Sequence, residues 1–275
     1  MNKSAVLMTS HGNAVNCETA LSALDQALQK VGINAVVFLA NSSIPIFEDI
    51  NRFKSLSVDE FSTSNDTFWA TGMRLAWERC LESPENFEKI LWLNDDTEIN
   101  TEGFIRANSE HLEVQGSIIV GACVGRDGSA SYGGYAQKSK LLPLHLEKLK
   151  ISDFKQPCDT FNGNFVLLDF ELFRKLGGFP QGYSHLRADI DFGLVAKRAG
   201  VPAYVSSGFV GKCEFNSGYF KYEQGGKYGI FGRLKMLNDK KIGPLNEHIM
   251  FSLRHGGILG PLYALAPIVR MILGR

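Results

Sequence analysis

Short apolar runs alternate with amphipathic stretches along the first half of the chain. The run Ala5-Val6-Leu7-Met8 is closed by the turn-like Thr9-Ser10-His11-Gly12-Asn13, which predicts a buried strand. From about Cys17 to Val31, the residues Ala20, Leu21, Leu24, Ala27, Leu28 and Val31 recur at helical spacing, and Gly32 stops them. Ala35 to Leu39 is a second apolar strand, ending at Asn41-Ser42-Ser43. A strand-helix-strand unit this compact predicts a parallel sheet. Ser55 to Asn65 is polar and reads as a loop. Trp69, Met73, Ala76, Trp77 and Cys80 form one side of a helix over Thr67 to Leu81.

Ile90-Leu91-Trp92-Leu93 is a short buried strand that runs directly into Asn94-Asp95-Asp96. A helix is predicted from about Thr101 to Val114, then a strand over Ile118 to Val124. Gly125 to Gly134 reads as irregular, and Leu141 to Pro157 as a mobile loop over a site. Phe165 to Leu168 and Ala203 to Ser206 read as strands, Glu171 to Leu176 and Asp189 to Ala199 as helices. The pattern predicts an open α/β sheet with an antiparallel addition in its second half.

Ligands of such sheets bind beyond the carboxyl ends of the strands. Three of those ends are polar here: Thr9-Ser10-His11, Asn41-Ser42-Ser43 and Asn94-Asp95-Asp96. A nucleoside fits across the first two, which places a diphosphate at the acidic pair. Carboxylates alone would repel it, whereas a Mg²⁺ or Mn²⁺ ion takes carboxylate and phosphate oxygens together. The plainer alternative is that Asp95 and Asp96 cap the following turn. Asp189 stands at a helix start, where it is either an N-cap or a general base.

Composition narrows the classes. With 275 residues, Lys+Arg and Asp+Glu both 29 and formal net charge zero, nothing argues for nucleic acid as a partner. Five scattered cysteines form no zinc or redox spacing and suit reduced thiols. The expected location is cytoplasmic, with neither a secretory signal nor a spanning segment in the pattern.

Four segments resemble family-2 glycosyltransferases, the inverting enzymes of the GT-A fold, and their rhamnosyltransferase-like branch. Ile90 to Glu98 is similar to their metal-binding segment, and Asn65 to Met73 to their donor-side helix start. Cys158 to Phe165 with Leu176 to Phe179 resembles their acceptor-side segment, and Asp189 to Leu194 with Lys197 to Gly200 their catalytic-base helix. The resemblance covers about residues 4 to 216. It implies a GT-A-type, mostly parallel open mixed sheet with a Rossmann-like nucleotide-binding half. A GT-A domain over 1–216 would be followed by a basic and apolar helical extension over 217–275.

By position it implies Asp96, with Asp95, as metal ligands, and Asp189 as base with Asp191 as second choice. Thr9, Ser10, His11, Asn41, Gly72, Asn94, Asp95, Gly163 and Lys212 would line the nucleotide-sugar site. The implied reaction moves a sugar from a nucleoside-diphosphate sugar to a glycan or lipid-linked acceptor. The chain departs from the family pattern at three places: Ala188 replaces an acid before the base, Ala40 replaces an Asp before Asn41, and Lys212 stands where a His is common. A protonated Lys has no lone pair for a metal, so Lys212 would contact diphosphate directly or be a plain surface charge. Two rival classes stand beside the enzyme: a non-catalytic sugar-binding module and a nucleotidyltransferase. In the extension, Lys221, Lys227, Arg233, Lys235, Lys240 and Lys241 make a basic stretch, and Gly256 to Val269 carries no formal charge. Residues 254–275 would lie on an anionic membrane, pack on the domain, or form an oligomer contact.

Overall fold

The computed structural model describes residues 3–43, 45–47, 52–215, 239–240 and 244–273. Strand β1 (Lys3–Ser10) is followed by helix α1 (Ala14–Val31), β2 (Asn34–Asn41), β3 (Leu56–Ser62) and α2 (Trp69–Leu81). Then come β4 (Lys89–Leu93), the two-residue β5 (Glu98–Ile99), α3 (Thr101–Glu113) and β6 (Ile118–Val124). Among the described residues the main sheet has β3, β2, β1 and β4 side by side, all parallel. Strand β12 (Phe165–Asp169) runs antiparallel between β4 and β6, and β13 (Ala203–Lys212) lies parallel to β6. Its far edge is β10 (Gln156–Cys158), antiparallel to β13. This is the GT-A-type mixed sheet flanked by helices.

Both faces of the sheet are covered, so the strands are apolar on both sides rather than alternating with polar residues. Ala5 and Leu7 point into one cluster with Trp77 of α2, Trp92 and Phe192. Val6 and Met8 point into the other, with Leu21 and Leu24 of α1 and Phe104 of α3. Trp92 is fully buried, and its ring meets those of Phe173, Phe179 and Phe192.

Several boundaries move for local reasons. Helix α1 begins at Ala14 because the Asn13 side chain accepts from the Asn16 N–H, an N-cap. The segment read as a loop over Ser55 to Asn65 contains β3. Only Leu56 and Val58 of that edge strand are buried, so Asp59 and Glu60 can stand in it. The segment read as irregular holds β7 (Ala130–Tyr132) and leads into β8 (Gly134–Gln137). The expected loop over Leu141 to Pro157 carries β9 (Leu146–Lys148) and the start of β10. Strands β8, β9 and β11 (Thr160–Phe161) form a second, three-stranded sheet.

Helices α4 (Phe170–Lys175) and α5 (Ala188–Arg198) fall close to expectation. The extension is helical where described, with α6 (Leu245–His255) and α7 (Gly260–Leu273). Lys240 lies 4.0 Å from Asp66. The boundary at 216/217 and Lys221, Lys227, Arg233, Lys235 and Lys241 lie outside the described residues.

Candidate active site

Topology brings the polar segments to one edge. β1, β2 and β4 are parallel, so Ser10, Asn41 and Asn94 emerge together; Ser10 pairs in register with Asn41. β12 runs against β4, so the residues before it, Asn162-Gly163-Asn164, arrive at the end of β4. There the Asn94 N–H donates to the Asn164 carbonyl at 3.3 Å. β6 and β13 share the direction of β4, which puts Lys212 and Cys213 at the same edge.

The residues at the ends of β1 and β2 are firmly held. The Thr9 hydroxyl donates to the Ala40 carbonyl at 3.1 Å, and Ser10 is buried. His11 Nδ1 lies 2.6 Å from the Ser42 hydroxyl. Asn41 is fully buried; it donates to Glu60 at 2.8 Å and accepts from the Ser43 N–H. Glu60 also accepts the N–H groups of Ile46 and Phe47, so Asn41 and Glu60 together shape the loop after β2. A methyl group on Gly72 would stand 2.1 Å from the Thr9 hydroxyl oxygen. Gly72 therefore lets the start of α2 press onto β1.

The acidic pair is built differently. Burial pushes the Asp95 carboxyl up to about 6; a nearby Ser10 hydroxyl opposes that rise and the Asp96 charge adds to it. Asp96 is exposed as a residue, yet its carboxyl reaches the buried Cys213 thiol at 3.4 Å. Desolvation raises its pKa too, against the hydrogen bond from that thiol. Asn164 Nδ2 donates to the same sulfur at 3.3 Å. Asp96, Lys212, Cys213, Glu214 and Arg126 line a pocket of 260 Å³ against α1, with Lys212 exposed.

Among the described residues no group of three or more His, Cys, Asp or Glu side chains encloses an ion. Two adjacent desolvated carboxylates suit a hard cation whose remaining ligands are phosphate oxygens and water. Asp95 and Asp96 are the residues that would hold such an ion.

Asp189, partly buried at the first turn of α5, accepts the Gly163 N–H at 3.0 Å and the Ile190 N–H at 2.8 Å. Burial raises its pKa against these bonds and one from the Asn162 side chain. The Tyr135 hydroxyl donates to Asn162 Oδ1 at 3.0 Å. Thr160 pins the helix by donating to the Ile190 carbonyl at 2.8 Å. Arg187, just before α5, sits at φ 71°, a left-handed conformation uncommon outside glycine.

Asp191, one turn-face away, has another occupation. It is buried and accepts from His255 Nε2 at 2.6 Å, Tyr183 Oη at 2.9 Å and Arg254 Nη1 at 3.0 Å. Burial pushes its carboxyl up, but His255, Tyr183 and Arg254 outweigh that and hold it below the usual carboxylate range. With its oxygens taken by α6 and Tyr183, Asp191 anchors the extension. α6 is further tied down by Glu247, which accepts the Ser184 N–H at 2.9 Å.

One residue absent from the sequence-based candidates joins the two carboxylate sites. Trp69 Nε1 donates to Asn94 Oδ1 at 2.7 Å. A methyl group on Gly163 would fall 2.6 Å from the Trp69 ring and 3.4 Å from Asp189 Cβ. Gly163 is required there because an indole occupies the space a side chain would need. Trp69, Asn162 and Asn164 lie in segments the resemblance marks without singling them out, whereas Tyr135 and Cys213 join the same edge with no local signal. An Asn-Gly-Asn sequence flanked by apolar residues was the nearest clue.

The fold is of the GT-A type, and its strand edge carries the acidic pair after β4 and, beyond Trp69 and Gly163, Asp189. No protein-family model matches the chain, and no curated protein does. Solved structures do. The crystal structure of S. aureus TarS 1-349 superposes with TM-score 0.55 at 16% identity, covering 99% of this chain and 81% of that one. A second structure of TarS gives 0.53 at 16%, covering 86% of this chain and 40% of that longer one. TarS 1-349 in complex with UDP gives 0.53 at 17%, covering 99% and 81%. At these identities the likeness is one of fold. Among the described residues no helix is long and apolar enough to cross a membrane.

Proposed function

We propose that this chain is an inverting glycosyltransferase that moves a sugar from a nucleoside-diphosphate sugar to a hydroxyl of a glycan or lipid-linked acceptor. The observation that carries the reading is the Trp69–Gly163 junction. It holds an acidic pair at the end of β4 and a separate carboxylate at the start of α5 on one sheet edge. The UDP complex of a structural neighbour makes UDP the first nucleotide to test.

In this reading Thr9, Ser10, His11 and Asn41 frame the nucleoside, with Gly72 setting the approach of α2. Asn94, Asp95 and Asp96 face the diphosphate, and Lys212 adds a positive charge beside it. Asp95 and Asp96 would hold a Mg²⁺ or Mn²⁺ ion, which supplies charge neutralisation to the leaving diphosphate. Asp189 accepts the acceptor hydroxyl's proton as that oxygen bonds to the anomeric carbon. The bond from carbon to diphosphate oxygen breaks on the opposite face, and the nucleoside diphosphate leaves with the electron pair. The raised pKa of Asp189 makes it a stronger base than an ordinary carboxylate. Asn162 and the Gly163 N–H keep its oxygens aimed.

Calorimetric titration with a panel of nucleoside diphosphates, with and without Mn²⁺, tests the reading. Metal-dependent binding of one nucleotide, lost in Asp96→Ala, is expected. Metal-independent binding lost in Lys212→Ala would transfer the diphosphate contact to Lys212. Binding with no donor turnover would leave a sugar-nucleotide-binding module, and release of inorganic pyrophosphate would indicate a nucleotidyltransferase. Absence of any nucleotide binding would overturn the proposal.

A further inference from the structure

Two segments far apart in sequence carry exposed apolar side chains and adjoin at one point. The first is the turn after β8, where Leu141 is 82% exposed and Leu142 is exposed. The second is the end of the extension, where Ile258 is 96% exposed and Leu262, Leu265 and Val269 are each at least half exposed. Leu262, Leu265 and Val269 recur at the spacing of one helix face on α7. The segments meet at Gly257, where a methyl group would lie 4.0 Å from Pro143 Cγ. Scattered exposed leucines are ordinary, whereas a patch assembled from two segments marks an interaction surface.

The surface is held outward by rigid parts. α6 and α7 cross at a glycine corner: a methyl group on Gly256 would be 2.6 Å from Gly260 Cα. His248 Nε2 lies 2.8 Å from the Tyr263 carbonyl, and Ala264 packs inward. The turn is fixed by Gln137 Nε2 donating to the Pro143 carbonyl at 2.7 Å and by the Lys138 N–H on the His145 carbonyl. Charge selects the occupant. From His248 to Arg275 the sequence has no Asp or Glu and has three Arg, of which Arg254 pairs with Asp191, in a protein whose formal net charge is zero. Exposed Lys140 adjoins Leu141. Positive charge in a segment that carries an apolar face is complementary to an anionic lipid surface.

β8 connects this surface to the chemistry. Tyr135 on that strand bonds Asn162, which serves Asp189, and Leu141 lies six residues further along. An extended chain of that length spans about 20 Å. We infer that the surface formed by 140–143 and 257–269 docks on an anionic bilayer and that the acceptor is lipid-linked, presented to Asp189 from that bilayer. The acceptor half of this inference rests on the glycosyl-transfer reading; the docking half does not.

Flotation of the full chain with vesicles tests it. Vesicles of phosphatidylcholine with phosphatidylglycerol should carry the protein up, phosphatidylcholine alone should carry much less, and salt should weaken the difference. Leu141→Asp with Leu142→Asp, and separately Leu262→Asp with Leu265→Asp, should each lower the bound fraction about tenfold or more. Both should keep the native circular dichroism melt and the hydrolysis of soluble donor. Wild-type protein that does not float, or double variants that float as well as wild type, would overturn docking. A leucine-dependent dimer without flotation would give the face to a second copy and overturn it equally. Flotation without any donor hydrolysis would leave docking standing and remove the glycosyl-transfer reading.

Discussion

Asp189 and Asp191 stand two residues apart in the first turn of α5, yet their surroundings drive them in opposite directions. Asp189 is bonded by neutral donors, the N–H groups of Gly163 and Ile190, and burial wins: its pKa rises. Asp191 is buried as well but faces His255, Arg254 and the Tyr183 hydroxyl, and its pKa falls. Burial alone does not decide a carboxylate's charge; the charge of its donors does. The helix start favours both anions equally and so cannot separate them. One turn thus supplies a proton acceptor to the cleft and a structural ion pair to the extension.

Replacing each acid in turn is the sharpest way to break the comparison. Asp189→Asn should lower kcat by about 10²- to 10⁴-fold while nucleotide affinity by calorimetry stays close to wild type. Asp191→Asn should instead cost about 3–5 kcal/mol of stability, because it leaves His255 and Arg254 without their buried partner. A chemical denaturation curve reads that loss. The pH sign differs as well. The Asp191 contribution is present above the ordinary carboxylate pKa and is lost as pH falls through its depressed folded value.

Gly163→Ala should disturb both sites at once, costing about 1–3 kcal/mol as the indole is displaced. Lowered kcat in that variant with partial rescue by Trp69→Phe would confirm the crowding. The smallest effect is on pH. A cation needs Asp95 deprotonated, so Mn²⁺-dependent nucleotide affinity should fall as pH drops below about 6, by up to about tenfold per pH unit. An affinity flat from pH 5 to pH 7 would remove Asp95 from the metal shell.

The sheet was largely legible because both its faces are covered. β1, β2, β4 and β12 appear in the sequence as apolar runs, and their polar ends mark the site edge. β3 was not, because Asp59 and Glu60 interrupt its pattern and only its pairing with β2 makes it a strand. The three-stranded sheet was hidden for a related reason: its strands are two to four residues long and come from separated segments. The acidic pair and Asp189 were visible as motifs. The different fate of Asp191 was not, since its partners Arg254 and His255 lie more than 60 positions away. Trp69 was readable as a core residue of a helix face, but its bond to Asn94 and its contact with Gly163 exist only in three dimensions.

That indole also has an optical consequence. The chain has three tryptophans; Trp77 and Trp92 are buried in the core, while Trp69 is only partly covered. A ligand that reorients Asn94 or excludes water beside Gly163 would change the polarity around one emitting ring and leave the other two alone. Fluorescence with Trp77→Phe and Trp92→Phe in place would then watch the cleft from its midpoint, without any added label.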